Sequence, residues 1–220
     1  QAYEQKMIMK RENIAERGIW TAKKRYILNV WNSEGVQYSE PKLKVMGIEA
    51  VKSSTPAPCR QMIKDGLKLM MNGTEEDVIE FIDKCRVEFK ALPPEQIAFP
   101  RTVSDVRKYH SHSSIYSKGT PIHARGALLF NHYIKDKKLT NKYSLIANGE
   151  KIKFLYLKKP NIIQENVISF IQDFPHELGL DKYIDYDLQF EKSFVEPLKA
   201  ILDAIGWNVE KTVNLELFFA

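Results

Sequence analysis

Four consecutive residues carry the strongest chemical signal in this sequence: Lys23, Lys24, Arg25 and Tyr26. They run into the segment 27–31, whose alternation of apolar side chains is typical of a half-buried β-strand. Lysine offers a compact charge with three donors and arginine a planar fork, and both suit phosphate oxygens and the base acceptors of a minor groove. This basic tetrad predicts a nucleic-acid contact at the entrance of a rigid strand. A solvated basic strand end without a ligand would have the same sequence.

Basic residues are concentrated in particular parts of the chain, whose net charge is +5. Residues 101–160 carry 13 Lys and Arg against 3 Asp and Glu, whereas residues 161–220 carry 4 against 11. Solubility does not require such segregation. A polyanion bound along the basic residues would release counterions, so its affinity would fall steeply with salt. Alternatively, the acidic residues 161–220 fold back on the basic ones and neutralise them.

A second candidate phosphate site lies in the middle of the basic segment 101–160. Lys118 precedes a Gly-Thr-Pro turn, and His123 and Arg125 lie where a helix is predicted to begin. Backbone N–H groups at a helix start, beside Lys118 and Arg125, would bind a phosphate. The alternative is an ordinary helix N-terminus with a structural histidine.

No combination of residues has the arrangement of a catalytic centre. The carboxylates at 75–77 are first-turn residues that the helix dipole favours. His110 and His112 lie on one side of an extended segment, but no third metal ligand accompanies them. Cys59 and Cys85 lack CxxC spacing, which indicates neither a disulfide framework nor a zinc site. The sequence therefore predicts a binding part, with no catalytic residue, metal or cofactor of its own.

The hydrophobic periodicity predicts an α+β fold in which antiparallel strands come first and helices dominate afterwards. Residues 1–52 are predicted to form a small β domain with strands over 7–14, 26–31 and 36–45 and a hairpin turn at 32–35. The Ser-, Thr- and Pro-rich stretch 53–58 marks a boundary. The domain after it, 53–213, is predicted to be mostly helical with a strand over 152–157. Its predicted helices are 59–72, a second one from the N-cap Thr74 to Pro93, 124–135, and 186–205 with Gly206 as C-cap.

The composition predicts a soluble intracellular protein with an ample core, since 44% of its 220 residues are hydrophobic. No stretch approaches the roughly 18 apolar residues of a membrane span, and the N-terminus lacks the layout of a signal peptide. A strand-like pattern begins a few residues after Gln1, which favours a fragment of a longer chain.

The final segment, 214–220, is unusually apolar for a chain end. Its large apolar side chains are Leu215, Leu217, Phe218 and Phe219. The segment either packs on its own domain or inserts into the pocket of a partner.

The basic tetrad and the strand after it resemble the KKxY motif of family B DNA polymerases, and the wider match is to the replicative polymerases of T-even-type bacteriophages. Further matching stretches follow in the family's order: 38–47, 52–56, 121–126, 149–151 and the apolar tail. The resemblance implies a C-terminal fragment with the end of the palm at 1–52, the thumb at 53–213 and a clamp-binding tail at 214–220.

By this resemblance, the tetrad grips the primer strand through the minor groove, where correct base pairs present similar acceptors, and the thumb holds duplex product by its phosphates. The implied DNA-binding residues are Lys23, Lys24, Arg25, Tyr26, Lys52, Lys118, His123 and Arg125. Leu215, Leu217, Phe218 and Phe219 would anchor a sliding clamp, although the tail also looks like a bacterial clamp-binding peptide.

The sequence lacks the DTD motif whose carboxylates hold two magnesium ions in such polymerases. The resemblance therefore implies Mg²⁺ in the parent enzyme, no cofactor here, no polymerisation by this part alone, and a location in the host cytoplasm. Two alternatives stay open: a separately encoded subunit that completes a catalytic half, and a clamp-associated duplex-DNA-binding module without its own catalysis. Exposed strand edges in 1–52 would favour a severed palm.

Overall fold

The computed structural model describes residues 9–109 and 114–209. Its first part is an antiparallel three-stranded meander in the order β1 (Asn13–Ala22), β2 (Arg25–Ser33) and β3 (Val36–Met46). The hairpin predicted at 32–35 is confirmed: Glu34 and Gly35 connect β2 to β3 with φ angles of 50° and 91°. Positive φ at both positions suits the right-handed twist of the flanking strands.

The predicted first strand was wrong in its position. The segment 9–12 is not a strand, and β1 begins at Asn13 and continues to Ala22. Gly18 and the charged pair Glu16-Arg17 weaken the strand pattern of this segment, yet it pairs with β2 along its length through several irregularities in register. Pairing with a central strand therefore outweighed the poor local pattern.

Two long helices follow the sheet, as the sequence predicted. A short 3₁₀ helix (Glu49–Val51) leads to α1 (Ala57–Asn72), and α2 spans Glu75–Lys90. The N-cap Thr74 is confirmed: its hydroxyl accepts from the Asp77 backbone N–H at 3.3 Å, and the Asp77 carboxylate accepts from the Thr74 N–H at 2.8 Å. These reciprocal bonds satisfy N–H groups that a helix start leaves without partners.

A second antiparallel sheet has the order β4 (Phe99–Thr102), β5 (Lys151–Tyr156) and β6 (Val167–Phe170). Only β5 was predicted. The other two strands have four residues each, and every residue of β6 is buried, so neither shows the alternation that identifies a strand from sequence. The short helix α3 (Pro94–Ile97) precedes β4, and α4 (Ile122–Asp136) packs on β6. Further 3₁₀ helices span Val106–Tyr109, His176–Leu178 and Asp181–Tyr183.

The last predicted helix runs through three consecutive segments: α5 (Tyr186–Phe190), a π-helical turn (Glu191–Val195) and α6 (Glu196–Ile205). Pro197 lies in the first turn of α6. Proline has no N–H donor and interrupts the α-helical hydrogen-bond pattern. The π-helical turn just before it, with its wider hydrogen-bond spacing, accommodates this interruption. Gly206 ends the helix with φ 77°, as predicted.

One contiguous core joins both parts of the chain. Three residues from the first part, Ile27 of β2, Ile48 before the 3₁₀ helix and Ala50 within it, belong to the same buried cluster as the apolar faces of the helices. The buried Gln189 side chain ties the second sheet to α3, since it donates to the Ile97 carbonyl at 2.8 Å and accepts from the Tyr156 N–H at 3.2 Å. The α+β class is confirmed. The boundary near residue 53 stays a prediction. No helix in the described residues has the length and apolar character needed to cross a bilayer.

Candidate nucleic-acid interface

Lys23 and Lys24 form the two-residue connection between β1 and β2. Lys24 has φ 64°, and its carbonyl packs against Gly47, where an added Cβ would lie only 2.3 Å from that oxygen. Gly47 itself has φ 68°. Both lysine side chains are exposed, and neither has an ion-pair partner among the described residues. The sheet therefore presents two ammonium groups at the tip of a hairpin, and Gly47 packs against the backbone of that tip.

Arg25 and Lys52 lie behind this turn and share one carboxylate. Arg25 Nη2 donates to Glu49 Oε2 at 3.0 Å, and Lys52 Nζ donates to Glu49 Oε1 at 2.7 Å. These two predicted DNA-binding residues are thus brought together, although they stand 27 positions apart in the chain. We call Arg25, Glu49 and Lys52 the charged trio.

Tyr26 lies on the outer face of the sheet, in register with Trp20 on β1 and Met46 on β3. Trp20 is 65% exposed and Met46 45% exposed. The Trp20 ring lies over Gly18, where an added Cβ would meet it at 2.6 Å. The sequence interpretation missed Trp20, because its place beside Tyr26 follows only once β1 is known to span Asn13–Ala22.

Two adjoining grooves begin next to the charged trio, and they share Ser53 and Pro100 in their walls. The first, of about 430 Å³, is lined by Ser53, Ser54, Arg101 and Lys151 among others. Arg101 Nη1 donates to the carbonyls of Ser54 and Pro100, both at 3.0 Å, which fixes its guanidinium at the wall.

The second groove, of about 580 Å³, adds Arg60 and Lys153. Its carboxylate Glu95 accepts from the Phe174 N–H at 2.9 Å, and Lys153 Nζ donates to the Glu95 carbonyl at 3.0 Å. The lining cations of the two grooves come from α1, β4 and β5. The sequence interpretation did not single out these four cations, because only the fold brings the residues after position 100 against the segment 53–60.

The beginning of α4 lies close to the first groove. The pKa of His123 is lowered by burial and, to a smaller extent, by the positive charge of Arg101. Its backbone carbonyl accepts from Ser169 Oγ at 3.0 Å. His123 is therefore held as a neutral imidazole beside a fixed arginine. Lys118 is exposed in the turn before the helix.

Arg125 is engaged within the protein. Its guanidinium donates to Asn166 Oδ1 and lies 5.6 Å from the centroid of the Tyr116 ring. The Tyr116 hydroxyl in turn donates to Glu165, and burial, followed by this hydrogen bond, raises the pKa of Tyr116. The structure therefore gives the Arg125 guanidinium internal contacts that the phosphate-site prediction did not include.

Part of the basic segment is neutralised by the acidic residues after it. Lys142 pairs with Glu177, while Lys158 and Lys159 lie 4.0 Å from the carboxylates of Asp187 and Glu165. Hydrogen bonds from Lys142 and Tyr143 lower the pKa of Glu177 to about 2. The fold-back alternative thus holds for three of the 13 cations in 101–160. In the part of the chain that the structure describes, the others have no carboxylate within ion-pair distance.

A larger cavity, of about 610 Å³, lies between the Val106–Tyr109 turn and the segment 145–148. Its walls include Arg107 and Lys108 together with the apolar Val106 and Ile146. The Asn131 amide bonds both backbone groups of Ile146, at 2.7 and 2.8 Å. Arg107 and Lys108, two further cations of the basic segment, thus line a cavity whose opposite wall is fixed by the Asn131–Ile146 hydrogen bonds.

No metal centre or reactive thiol is found in residues 9–109 and 114–209. No group of three or more His, Cys, Asp or Glu side chains there could hold a metal ion. Burial raises the pKa of Cys59 to about 11 and that of Cys85 to about 12, so neither thiol supplies a thiolate at neutral pH. His110 and His112 lie outside the described residues, and so do the predicted clamp anchors Leu215, Leu217, Phe218 and Phe219.

Comparison with known proteins shows which class of protein this chain resembles. A search against protein-family models found no match. Among individual proteins, the chain is similar to DNA-directed DNA polymerases of bacteriophages, as its motifs predicted. The polymerase of Enterobacteria phage T4 is 31% identical over 206 residues, and that of Escherichia phage RB69 is 34% identical over 203.

These matches cover 92% and 90% of this chain but only 22% of each phage protein. The chain thus spans about a fifth of the length of the relatives that it matches. The predicted similarity to the replicative polymerases of T-even-type phages is therefore confirmed over about 90% of this chain, and a match to one fifth of those proteins is consistent with a fragment of such an enzyme.

Proposed function

We propose that this chain grips primer–template duplex DNA for a DNA-directed DNA polymerase during replication. The observation that carries the proposal is the junction of the basic tetrad with the two grooves. The Lys23–Lys24 turn packs on Gly47, the charged trio continues from Glu49 to Lys52, and Ser53 opens the first groove. Residues 47–53 thus link the turn and the charged trio to the first groove, whose cations come from distant parts of the chain.

The tetrad suits the minor groove near the primer end. Lys23 and Lys24 project from a rigid turn, and all correct base pairs present acceptors at similar positions in the minor groove. A mispair displaces those acceptors, so the ammonium groups lose partners and extension slows. Tyr26 and its exposed neighbour Trp20 add aromatic surface beside this contact.

The grooves suit phosphates rather than base edges. Arg101 and Lys151 line the first groove, and Arg60 and Lys153 line the second. We propose that the exposed Lys118 and the neutral His123, at the beginning of α4, add a positive charge and a hydrogen-bonding ring to this surface. Phosphate contacts fix position without reading sequence, as copying of any template requires. Arg125 supports this surface by fixing the beginning of α4.

The edges of the first sheet suit contact with the rest of a polymerase, because β1 and β3 are both edge strands. We propose that the remaining polymerase domains dock along these edges and supply the catalytic carboxylates with their Mg²⁺ ions. This chain alone would then not polymerise DNA. The tail residues Leu215, Leu217, Phe218 and Phe219 would tether the enzyme to a sliding clamp.

Binding of a fluorescently labelled primer–template duplex to the purified chain tests the grip. We expect weak binding that fades as salt rises. The substitutions Lys23→Gln and Lys24→Gln together should lower the affinity and reduce the slope of log affinity against log salt, because each ammonium group in the minor groove also displaces counterions from the phosphates beside it.

Lys137 and Lys138 provide the matched control. They are consecutive exposed lysines just after α4, and the second also has positive φ, 55°. They lie at the other end of α4, roughly 22 Å from His123 at 1.5 Å per residue. Changing both to Gln removes the same charge and should leave the slope nearly unchanged. Equal losses in the two double variants, or salt-insensitive binding, would contradict the grip.

The complete polymerase allows two further tests. Lys23→Gln or Lys24→Gln should reduce primer extension more than nucleotide binding. Deletion of 214–220 should lower processivity with a clamp and leave distributive synthesis intact. A loss in both synthesis assays would show that the tail supports the fold instead.

A further inference from the structure

We propose that Glu49 is a positioning residue that holds Arg25 and Lys52 in one fixed arrangement for contact with the duplex. This inference rests on the proposed grip. It concerns a carboxylate within a basic surface, where a negative charge would by itself oppose a polyanion. Nothing in the sequence pattern singles out Glu49 from the other acidic residues of 1–52.

The backbone of Glu49 is anchored in the core. Glu49 begins the 3₁₀ helix Glu49–Val51, and its neighbours Ile48 and Ala50 are buried, with 0% and 1% of their surface exposed. Both belong to the contiguous core of the molecule. The carboxylate therefore projects from a short stretch of backbone that its two buried neighbours fix in the core.

Each carboxylate oxygen takes a different cation. Oε2 accepts from Arg25 at the beginning of β2, and Oε1 accepts from Lys52 in the segment that leads to α1. Glu49 therefore couples the hairpin that carries the Lys23–Lys24 turn to the segment that opens the first groove. Without it, two long and flexible side chains would have to be ordered by the DNA itself.

Within the charged trio, the two cationic side chains are more exposed to solvent than the carboxylate. The Glu49 side chain is 22% exposed, whereas those of Arg25 and Lys52 are 36% and 46% exposed. The carboxylate is thus less exposed than the two cations that share it, although Arg25 Nε is itself buried without a hydrogen-bond partner. An arginine has five N–H donors and a lysine three, so each can keep its bond to Glu49 while it donates to a phosphate.

Substitution Glu49→Gln separates positioning from simple charge, because it removes a negative charge that would repel DNA. The matched control is Glu40→Gln, which makes the same charge change at an exposed position on β3 with no ion pair among the described residues. We expect E40Q to bind duplex slightly more tightly than the parent chain. We expect E49Q to bind several-fold more weakly despite its added positive charge, with an unchanged denaturation midpoint.

A double-mutant cycle gives a readout that a general structural defect would not produce. If Glu49 orients Arg25, then Arg25→Gln should weaken binding in the parent chain and have little further effect in E49Q. E49D keeps the charge on a shorter arm and should restore part of the affinity. If E49Q fails to fold, the test uses E49D, which should bind more weakly than the parent chain because its shorter side chain cannot reach both cations. Binding of E49D equal to that of the parent would then overturn the proposal.

Each failure has a distinct signature. Unchanged binding by the Lys23 and Lys24 double variant would remove the grip itself. A normal loss in that variant, with E49Q binding like E40Q or with additive effects in the cycle, would overturn only the role of Glu49.

Discussion

The hairpin turn at Lys23–Lys24 and the beginning of α4 both contain basic residues and were both predicted to contact nucleic acid, yet their side chains have different surroundings in the fold. At the turn, two lysines project with no ion-pair partner in the described part of the chain. At α4, Arg125 is bound to Asn166 and lies over Tyr116, and His123 is held neutral by burial and Arg101. A cation can therefore belong to an interface by contacting the ligand or by holding the surface that does.

Gly47→Ala tests the support of the turn and should have the largest effect. The new Cβ would lie 2.3 Å from the Lys24 carbonyl at a position with φ 68°. We expect a loss of roughly 3 kcal/mol in the free energy of unfolding, from backbone strain together with overpacking. Urea denaturation would measure it. Gly35→Ala is the control, since Gly35 also has positive φ but nothing within 4 Å, and should lose only about 1–2 kcal/mol. Equal losses would show that contact with Gly47 does not hold the turn.

Arg125→Gln should act on stability more than on DNA. It removes a charged hydrogen bond and the contact with the Tyr116 ring, which we expect to cost about 1–2 kcal/mol. Lys118→Gln, in the exposed turn nearby, should leave the unfolding free energy unchanged but reduce the salt slope of duplex binding. Denaturation and salt titration of both variants check this contrast. If Arg125→Gln changes only the salt slope, Arg125 contacts DNA directly.

Lys151→Gln and Lys142→Gln compare two lysines of the same basic segment. Lys151 lines the first groove, whereas Lys142 is paired with Glu177. We expect Lys151→Gln to reduce the salt slope of duplex binding by about 0.9, the value of one phosphate contact. Lys142→Gln should leave that slope unchanged. Equal slopes in the two variants would mean that overall charge, and not the groove, decides binding.

The smallest expected effect concerns the pH dependence of stability. In the folded chain the pKa of His123 lies below the roughly 6.5 of an unfolded histidine, first because of burial and then because of Arg101. The unfolded chain therefore takes up a proton first on acidification. The stabilisation that comes from burying a neutral His123 is therefore complete above a pH of roughly 6.5, the pKa of the unfolded histidine. It is lost as the pH falls through the lower pKa of the folded chain.

Denaturation curves between pH 7.5 and 5.5 measure this dependence. His123→Gln should make stability less sensitive to pH across this range. An unaltered dependence in His123→Gln would show that His123 does not lower stability on acidification.

Local signals in the sequence were sufficient for most of the regular structure. The apolar spacing of α1, the Thr74–Asp77 capping box, the Glu34–Gly35 turn and the C-cap Gly206 each encode their element within a few residues. The strands β1, β4 and β6 were misplaced or missed. Their residues form strands because of the neighbours with which they pair, and a pattern search along the chain contains no information about those neighbours.

The candidate interface divides in the same way. Charge segregation and the KKxY resemblance identified Lys23, Lys24, Arg25 and Lys52 without any coordinates. No sequence pattern indicated that Glu49 joins two of them, that Trp20 lies beside Tyr26, or that Arg101 and Lys151 line a groove with Ser53. These relations join residues between 6 and about 100 positions apart, and they exist only where strands and helices pack.

Residue types and their order were thus enough to establish the α+β class, the main helices, the concentration of positive charge and the kinship with phage DNA polymerases. Which cations face solvent, which are occupied by Asn166 or Glu177, and which are held by a shared carboxylate followed from the packed structure. The physical reason is that a charge belongs to its residue, whereas its availability to a ligand depends on the donors and acceptors that folding brings within about 3 Å of it.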